Sequence, residues 1–231
     1  MNSMAEIIYE NWGTIDYAAA FDRQTDIFNR KLQQKLDGNH QTENYLVFCQ
    51  HPHVYTLGKN GKANNLLVDT GFLNKISATY YKTNRGGDIT YHGYGQIVGY
   101  PILDLEQFHL GLKDYIFLME QCIIDLMAEY GILCGRLQGA TGVWLDSDTT
   151  KARKICAIGV KASRNITMHG FALNVNTDLS YFHYINPCGF ADKTATSMHK
   201  ELNAEIDIKE VEDRLQQKFI AMLQEQNNPS F

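Results

Sequence analysis

Residues 110–131, LGLKDYIFLMEQCIIDLMAEYG, carry the most regular pattern in the chain and decide its fold class. Apolar side chains recur here at steps of three and four, which is the spacing of one face of an α-helix. Gly131 follows at the position where a left-handed residue commonly ends a helix. The pattern predicts a helix whose apolar face consists of Leu112, Ile116, Met119, Ile123, Leu126 and Tyr130.

Two further helices are predicted, one on each side of the central one. The stretch from about Tyr17 to Leu36 has a weaker apolar stripe, formed by Phe21, Phe28, Leu32 and Leu36. A third helix is predicted after Asp207, because Glu210 three residues later suits a capping box. Its apolar face consists of Val211, Leu215, Phe219 and Met222.

Short runs rich in β-branched and aromatic residues lie between the helices and predict strands. They comprise residues 45–49, 54–57, 78–81 and 97–103 before the central helix, and 132–137, 142–145, 155–160 and 171–175 after it. Strands and helices do not alternate strictly. We therefore expect an α/β fold of the layered α+β type, with a mixed β-sheet flanked by helices.

Length and charge narrow the class of protein. A chain of 231 residues can bury a sizeable core, and it contains no repeat or linker, so we expect one domain over residues 1–231. The net charge of −5 disfavours nucleic-acid binding. The N-terminal 17 residues hold two glutamates and no Lys or Arg, and no run approaches the ~20 apolar residues of a membrane span. A cytoplasmic location is therefore expected.

The five cysteines lie at 49, 122, 134, 156 and 188 and form no CxxC pair. Such a set is typical of reduced thiols. Cys188 differs from the others because Pro187 and Gly189 flank it, which predicts a tight loop. It is either a small core residue or a nucleophile beside an N–H that can stabilise an oxyanion, and spacing alone leaves both open.

Two segments combine chemistry-bearing side chains with a strand pattern. Cys49, His51 and His53 have a spacing that suits a metal site, although Pro52 favours a plain His-Pro turn where a strand ends. Lys154 shares its strand parity with the apolar side chains at 156, 158 and 160. It either leaves the core at the strand end or lies at the rim of an apolar cavity, where desolvation disfavours its charged form.

Residues 85–96, RGGDITYHGYGQ, hold four glycines among the first eleven positions. Glycines let a backbone approach a ligand closely, and Arg85 can bind a carboxylate, a phosphate or a carbonyl. The segment is neither a phosphate-binding P-loop nor a dinucleotide-binding turn. Because a hairpin needs fewer glycines, the pattern favours a binding loop.

Five blocks taken together resemble a known family. They are HPHVYTLG (51–58), RGGDITYHGYGQ (85–96), KICAIG (154–159), HGFALNV (169–175) and NPCG (186–189). In this order they are similar to the octanoyltransferases of lipoate biosynthesis. The resemblance spans about residues 45 to 190 and implies the catalytic-domain fold of the biotin and lipoate protein ligases.

The resemblance also implies a mechanism and a site. It implies transfer of an octanoyl group from acyl carrier protein, through a thioester on Cys188, to a lysine amine of a lipoyl domain, without a cofactor or a metal. Lys154 is implied as the residue that favours the thiolate and handles protons. The implied substrate-binding residues are Arg85, Gly86, Gly87, Asp88, Ile89, Thr90, Tyr91, His92, Ala157, Ile158, Gly159, Gly170, Phe171 and Ala172.

The chain departs from the family pattern at two positions. Tyr94 stands where proline is usual, which bears on loop stiffness and acyl-chain preference. His53 stands where a second proline is common, which makes it a local variation and weakens the metal interpretation. Two alternatives stay open at this point. One is an ATP-dependent lipoate or biotin protein ligase on the same scaffold, which needs no nucleophilic cysteine. The other is a protein that binds lipoyl domains without catalysis.

Overall fold

The computed structural model of the chain describes residues 5–39, 42–186 and 194–227. The helices are α1 (Tyr17–Leu36), α2 (Thr70–Lys75), α3 (Leu112–Glu129), α4 (Met198–Leu202) and α5 (Ile208–Asn227). The strands are β1 (Ile7–Thr14), β2 (Asn44–Gln50), β3 (Val54–Leu57), β4 (Thr79–Lys82), β5 (Ile89–His92), β6 (Gln96–Ile102), β7 (Gly135–Leu137), β8 (Ala140–Leu145), β9 (Arg153–Ser163), β10 (Ile166–Asn174) and β11 (Thr194–Ala195). Short 3₁₀ turns cover Ala63–Asn65, Leu105–Phe108 and Leu179–Tyr184.

The strands form one large and one small sheet. The large sheet has the order β1-β2-β6-β10-β9-β8-β7, and β11 pairs with β9. Its β1–β2 and β11–β9 pairs are parallel, whereas the other pairs are antiparallel. The small sheet has the order β4-β3-β5. The expected mixed sheet is thus confirmed.

Helices cover both faces of the large sheet. On one face, α3 and α5 pack over a cluster that contains Phe48, Phe171 and Phe219. On the other face, α1 packs over β6 and β10 and buries Phe28 against side chains that include Val98. The layered α+β expectation is therefore confirmed. Within the described ranges, no helix is both long and apolar enough to cross a membrane.

The three long helices lie where the periodicity predicts them. Gly131 has φ +73° immediately after α3, as expected for a left-handed residue at a helix end. Two residues of the predicted apolar faces are instead exposed, Leu112 (42%) and Leu36 (56%). In α1 the buried face includes Gln24 and Lys31, and these polar side chains weaken the apolar signal of that helix.

The strand predictions are right for most of the large sheet, but they omit β1, β5 and β11. β5 lies within residues 85–96, where the pattern favours a binding loop and gives no strand. β1 was not predicted, because its polar and glycine-containing sequence, IIYENWGT, has no clear alternation. The predicted strand 132–137 is shortened to β7. Residues 51–53 form the break at which the chain leaves β2 in the large sheet and enters β3 in the small one, so the His-Pro turn is confirmed.

Candidate active site

A cavity of about 950 Å³ lies between the two sheets. Its walls come from β5, β6, β9 and β10, the loop at 85–88 and the 3₁₀ turn Leu179–Tyr184. This volume is within the ~300–1,000 Å³ of typical small-molecule sites. Thirteen of the predicted site residues line it: Arg85, Gly87, Asp88, Ile89, Thr90, His92, Lys154, Ala157, Ile158, Gly159, Gly170, Phe171 and Ala172. The fold thus brings together three segments that are distant in sequence.

Three other predicted site residues are not among those that line the cavity. Gly86 joins the loop to β9, because its N–H donates to the Val160 carbonyl at 2.9 Å. Tyr91 is buried in the aromatic cluster of the small sheet, where its hydroxyl lies 2.7 Å from His53 Nδ1. Cys188 belongs to residues 187–193, which lie outside the described ranges, so its role stays a prediction.

The Arg85 guanidinium is held in place by Thr56 of β3. Arg85 Nε and Nη2 donate to Thr56 Oγ1 at 3.2 and 3.0 Å, and Nη2 also donates to the Thr56 carbonyl at 2.5 Å. Nη1 donates to the Gly86 carbonyl at 2.9 Å. Arg85 and Thr56 are both buried. The cation is therefore pre-positioned at the cavity wall, where it can attract a carbonyl or an anion.

A chain of hydrogen bonds runs from Thr56 across the cavity floor. His92 Nδ1 lies 2.9 Å from Gln96 Oε1, an acceptor, so Nδ1 carries the proton and Nε2 accepts from Thr56 Oγ1 at 3.4 Å. Gln96 Nε2 donates to Asn174 Oδ1, and Asn174 Nδ2 donates to the Thr196 carbonyl, both at 2.9 Å. Thr196 N–H in turn donates to the Lys154 carbonyl at 2.9 Å. The network fixes the backbone at Lys154 relative to the arginine loop.

Two glycines permit the close approach of the 85–88 loop to its neighbours. A Cβ at Gly58 would lie 2.3 Å from the Gly87 carbonyl oxygen, and one at Gly159 would lie 2.8 Å from the Gly86 carbonyl oxygen. Backbone atoms cannot move aside as a flexible side chain can. Glycine is therefore required at these positions so that the loop can reach both β3 and β9.

Lys154 lines the cavity, but it does not share a face with Cys156 as simple alternation predicts. The β8–β9 register shifts between the pairs Val143–Cys156 and Trp144–Lys154, so β9 holds one extra residue, Ile155. As a result Ile155 and Cys156 both pack into the cluster under α3 and α5. The β-bulge turns Lys154 to the cavity side, where its Nζ lies 4.5 Å from the centroid of the Trp144 ring.

Two of the histidines that line the cavity, His92 and His169, are held neutral at physiological pH. Burial lowers the pKa of His92 and of His169 from 6.5 to about 3. His169 Nε2 lies 2.8 Å from Asn84 Oδ1, and its backbone has φ +60°, an unusual value for a residue other than glycine. The neighbouring Arg85 disfavours a second positive charge at both rings. The two imidazole rings therefore line the cavity as neutral hydrogen-bonding groups.

Four of the five cysteines are poor candidates for a nucleophile. Cys49, Cys122 and Cys156 are fully buried, and desolvation raises the pKa of each thiol. Cys134 packs against the α3–α5 cluster, and burial raises its pKa to about 12. A thiol in such surroundings forms little thiolate at neutral pH. These four cysteines therefore act as packing residues of the core.

The two residues that flank the segment 187–193 both line the cavity. Asn186 is tied to the 3₁₀ turn Ala63–Asn65, because its N–H donates to the Asn65 carbonyl at 2.8 Å. At the other end Thr194 begins β11, in which Ala195 stands directly opposite Lys154. The chain therefore enters this segment at the cavity and continues after it into β11, which pairs with Lys154.

The alternative of a metal site at residues 49–53 receives no support from the placement of the two histidines. His51 Nδ1 and Nε2 lie 2.7 Å from the Ile15 carbonyl and 2.6 Å from Tyr100 Oη. His53 Nδ1 is bonded to Tyr91, and its ring stacks on Tyr181 with centroids 4.1 Å apart. Over the described ranges, no group of three His, Cys, Asp or Glu side chains is arranged to hold a metal ion.

Some residues that shape the site were not singled out from the sequence. Thr56 lies within the HPHVYTLG block, yet nothing in the block shows that its hydroxyl holds an arginine 29 residues away. Trp144 lies in a predicted strand and gives no local signal of its contact with Lys154. Tyr17, at the start of α1, lines the cavity and stacks on His92 with centroids 6.2 Å apart. The register of the two sheets brings Thr56 and Trp144 to the site, and the packing of α1 brings Tyr17 there.

Comparison with known proteins relates this chain to one protein family and to proteins of similar sequence. Residues 16–220 match the lipoyl protein ligase A/B catalytic domain family. The octanoyltransferase of Bacteroides fragilis is 55% identical over 216 residues, covering 94% of this chain and 97% of that protein. The octanoyltransferase of Cytophaga hutchinsonii is 48% identical over 231 residues, covering 96% and 95%.

Solved structures share the fold at low sequence identity. A chain from the bi-partite lipoate protein ligase and E2 lipoyl domain structure of Thermoplasma acidophilum has a TM-score of 0.70 at 14% identity, covering 94% of this chain and 84% of that one. The biotin protein ligase of Aquifex aeolicus has a TM-score of 0.52 at 12% identity, covering 99% and 73%. The expected resemblance to the biotin and lipoate ligase fold is confirmed.

The sheet order, the flanking helices and the cavity between the sheets define a catalytic domain of the lipoate and biotin ligase type. The chain belongs to the lipoyl protein ligase A/B catalytic domain family. Within that family it stands with the octanoyltransferases, the acyltransferases of lipoate synthesis.

Proposed function

We propose that this acyltransferase carries the octanoyl group on Cys188 as a thioester, with Lys154 as its proton-transfer partner. The donor is octanoyl-acyl carrier protein, and the acceptor is the lysine amine of a lipoyl domain. One observation carries the proposal: Lys154 and both ends of the segment that contains Cys188 line the same cavity. Cys188 is two residues from Asn186, and two peptide units span at most ~7.6 Å.

The thiols elsewhere in the chain support this choice of nucleophile. The four other cysteines are buried or half-buried, and burial raises the pKa of each. A lysine ammonium close to a thiol has the opposite effect, because it stabilises the thiolate. Cys188 therefore forms the attacking thiolate in this mechanism, and Lys154 supplies the compensating positive charge.

The first half of the reaction loads the enzyme. The Cys188 thiolate attacks the thioester carbonyl of the donor, and the new carbon–sulfur bond forms as the bond to the carrier sulfur breaks. The departing thiolate takes a proton from the Lys154 ammonium, so free carrier thiol and neutral Lys154 result. Proton transfer from a positioned group typically contributes about 10²–10⁴-fold to the rate.

The second half regenerates the enzyme. The acceptor amine attacks the acyl carbonyl, the bond to Cys188 breaks, and neutral Lys154 takes the proton from the attacking nitrogen. The products are the octanoylated lysine and the original thiolate–ammonium pair. All atoms and charges balance without ATP, which distinguishes this reaction from an ATP-dependent ligation.

The residues that line the cavity are assigned to the acyl donor and its chain. We assign the segment Arg85–His92 and the residues at 157–159 and 170–172 to substrate binding. Arg85 suits the carbonyl end, and Ile158, Phe171 and Ala172 provide apolar walls for the hydrocarbon chain. Lys59 and Lys62, which flank the lining residue Asn60, are exposed and suit an acidic carrier.

Intact-protein mass spectrometry after mixing with octanoyl-acyl carrier protein tests the proposal. We expect one octanoyl adduct per chain that hydroxylamine releases, and transfer of the adduct to a lipoyl domain without ATP. Cys188→Ser should form no hydroxylamine-labile adduct, and Lys154→Ala should load and transfer slowly. The matched control is Cys134→Ala, which should load like the wild type.

Two results would overturn this mechanism. The first is a hydroxylamine-labile adduct on Cys188→Ser, which would place the thioester on another residue. The second is modification of the lipoyl domain that requires ATP, which would indicate the ligase reaction instead. Unchanged turnover of Lys154→Ala would remove Lys154 from the proton-transfer role.

A further inference from the structure

The indole of Trp144 lies against the ammonium group of Lys154. Lys154 Nζ is 4.5 Å from the centroid of the Trp144 ring, within the ~6 Å range of a cation–π interaction. Trp144 is only 3% exposed, and both side chains line the cavity. Desolvation strengthens such a contact, and tryptophan offers the best aromatic face for a cation.

The orientation of the ring is fixed by a bend in β8. Gly142 has φ +119°, a value that side-chain-bearing residues rarely adopt, so the backbone departs there from regular strand geometry. The Trp144 Nε1–H donates to the Ala140 carbonyl at 3.0 Å across this bend. A Cβ at Gly142 would lie 2.5 Å from the Cys156 carbonyl oxygen and 3.5 Å from Lys154 Cε. Glycine is therefore required here by the close approach to the Cys156 carbonyl, and the lysine stem runs past it at ordinary contact distance.

A buried carboxylate ties the bend to α3. Glu120 is 7% exposed, and its Oε1 accepts the Gly142 N–H at 2.9 Å. Its Oε2 accepts from Arg136 Nε at 2.9 Å. Because α3 is a long packed helix, the bend and the indole keep one position relative to β9. Trp144 is therefore held against Lys154 by its own hydrogen bond to Ala140 and by the hydrogen bond from Gly142 to Glu120.

We propose that Trp144 is a positioning residue for the reaction: the face of its indole holds Lys154 in the ammonium form at the cavity wall, opposite Ala195 of β11. This inference rests on the proposed function, because it needs Lys154 as the charge partner of the thiolate. Burial alone disfavours an ammonium, and the π face offsets that penalty. A cation–π contact of this kind changes the balance between ammonium and amine by about 2- to 30-fold.

Other charged or titratable groups also face this region. From the cavity walls these are Tyr17, Arg85, Asp88, His92, His169, His183 and Lys200, and behind the bend lies Glu120. A test of the Trp144 contact must leave all of them unchanged. Progressive fluorination of the indole does this, because it withdraws electron density from the ring face while it nearly preserves the ring's shape.

The chain is suited to such an experiment because it holds two tryptophans, Trp12 and Trp144. Trp12 lies in β1 outside the residues that line the cavity, so Trp12→Phe provides a background with a single tryptophan. We expect Trp12→Phe itself to load octanoyl groups like the wild type. Fluorinated tryptophans with one, two and four fluorines are then incorporated biosynthetically.

The expected result is a graded loss of acyl-enzyme formation. The rate of loading from octanoyl-acyl carrier protein should fall stepwise with fluorination, by about 2- to 30-fold over the series. The alkaline limb of the pH–rate profile should move to lower pH, because the ammonium form is less well stabilised. Trp144→Phe should keep part of the activity, and Trp144→Leu, which has no ring, should keep less. Both variants shorten a buried side chain and should lower the urea midpoint, so the fluorinated series carries the test.

A flat series would overturn the proposal. If all fluorinated proteins load at the same rate and share one pH profile, the indole serves only as packing. The wild-type adduct and its absence in Cys188→Ser are measured in the same experiment. A flat series together with a hydroxylamine-labile wild-type adduct rejects the Trp144 role alone, whereas an adduct that survives in Cys188→Ser rejects the proposed function.

Discussion

The hydroxyl of Thr56 offers a sharp test of how the cavity is organised. In Thr56→Val the side chain keeps its shape, but the oxygen that accepts two hydrogen bonds from Arg85, at 3.2 and 3.0 Å, is replaced by a methyl group. The carbonyls of Thr56 and Gly86 remain as acceptors. One buried, charged donor, Arg85 Nε, loses the acceptor described for it, and the Thr56 contact with His92 is lost as well.

The expected magnitude follows from the cost of leaving a buried donor without its acceptor. Such a change costs about 1–3 kcal/mol. For a chain of this length, each kcal/mol lowers Tm by roughly 2–4 °C, so Thr56→Val should melt about 2–12 °C below the wild type. A displaced guanidinium should also raise KM for the octanoyl donor more than it lowers kcat, because we assign Arg85 to substrate binding.

Thermal and urea unfolding, with octanoyl-transfer kinetics on the same samples, measure both effects. Thr56→Ser is the matched control, because it keeps the hydroxyl and loses only a methyl group, at a cost of about 1 kcal/mol. The serine variant should keep the wild-type KM. If Thr56→Val equals Thr56→Ser in stability and in KM, the hydroxyl does not hold Arg85 and the reasoning is refuted.

Three further predictions concern pH, the β8 bend and the thiols. Burial lowers the pKa of His169 from 6.5 to about 3, so the unfolded chain takes up a proton at this histidine before the folded chain does as the pH falls. The contribution of neutral His169 to folding stability is therefore complete above about pH 6.5 and is lost as the pH falls towards 3. His169→Asn should therefore flatten the decline of the urea midpoint between pH 7 and 5, and an unchanged slope would contradict this. Glu120→Ala should lower the free energy of unfolding by about 1–3 kcal/mol, measured by urea titration, because the Gly142 N–H loses its acceptor. Glu120→Gln should cost less, because it keeps an acceptor oxygen. Equal costs for the two variants would show that the hydrogen bond from Gly142 to Glu120 does not hold β8 in place. Iodoacetamide at neutral pH should alkylate Cys188 first, as followed by peptide mass spectrometry, and equally fast labelling of the buried Cys122 would contradict the assignment.

The local pattern predicted most of the helices and strands because both depend on short-range periodicity. The spacing of three and four in α3 survives in the fold, and so does the cap at Asp207, whose Oδ1 accepts the Lys209 N–H at 2.9 Å. The pattern is weaker where polar residues occupy buried positions, as Lys31 does in α1. There the lysine is satisfied by Thr42 Oγ1 at 2.9 Å, an acceptor that no local rule identifies.

For the site, the sequence alone predicted the segments to which we assign the chemistry: the arginine–glycine segment, the strand with Lys154, the His-Gly strand and the segment with Cys188. Their residue types and blocks were sufficient to indicate the family. Only the tertiary structure decided which way the side chains face. The β-bulge at Ile155 turns Lys154 to the cavity, and sheet register places Trp144 beneath it and Thr56 against Arg85. These contacts join residues that are distant along the chain or related through strand register, and no short-range rule can specify them because register is set by the packing of the whole sheet.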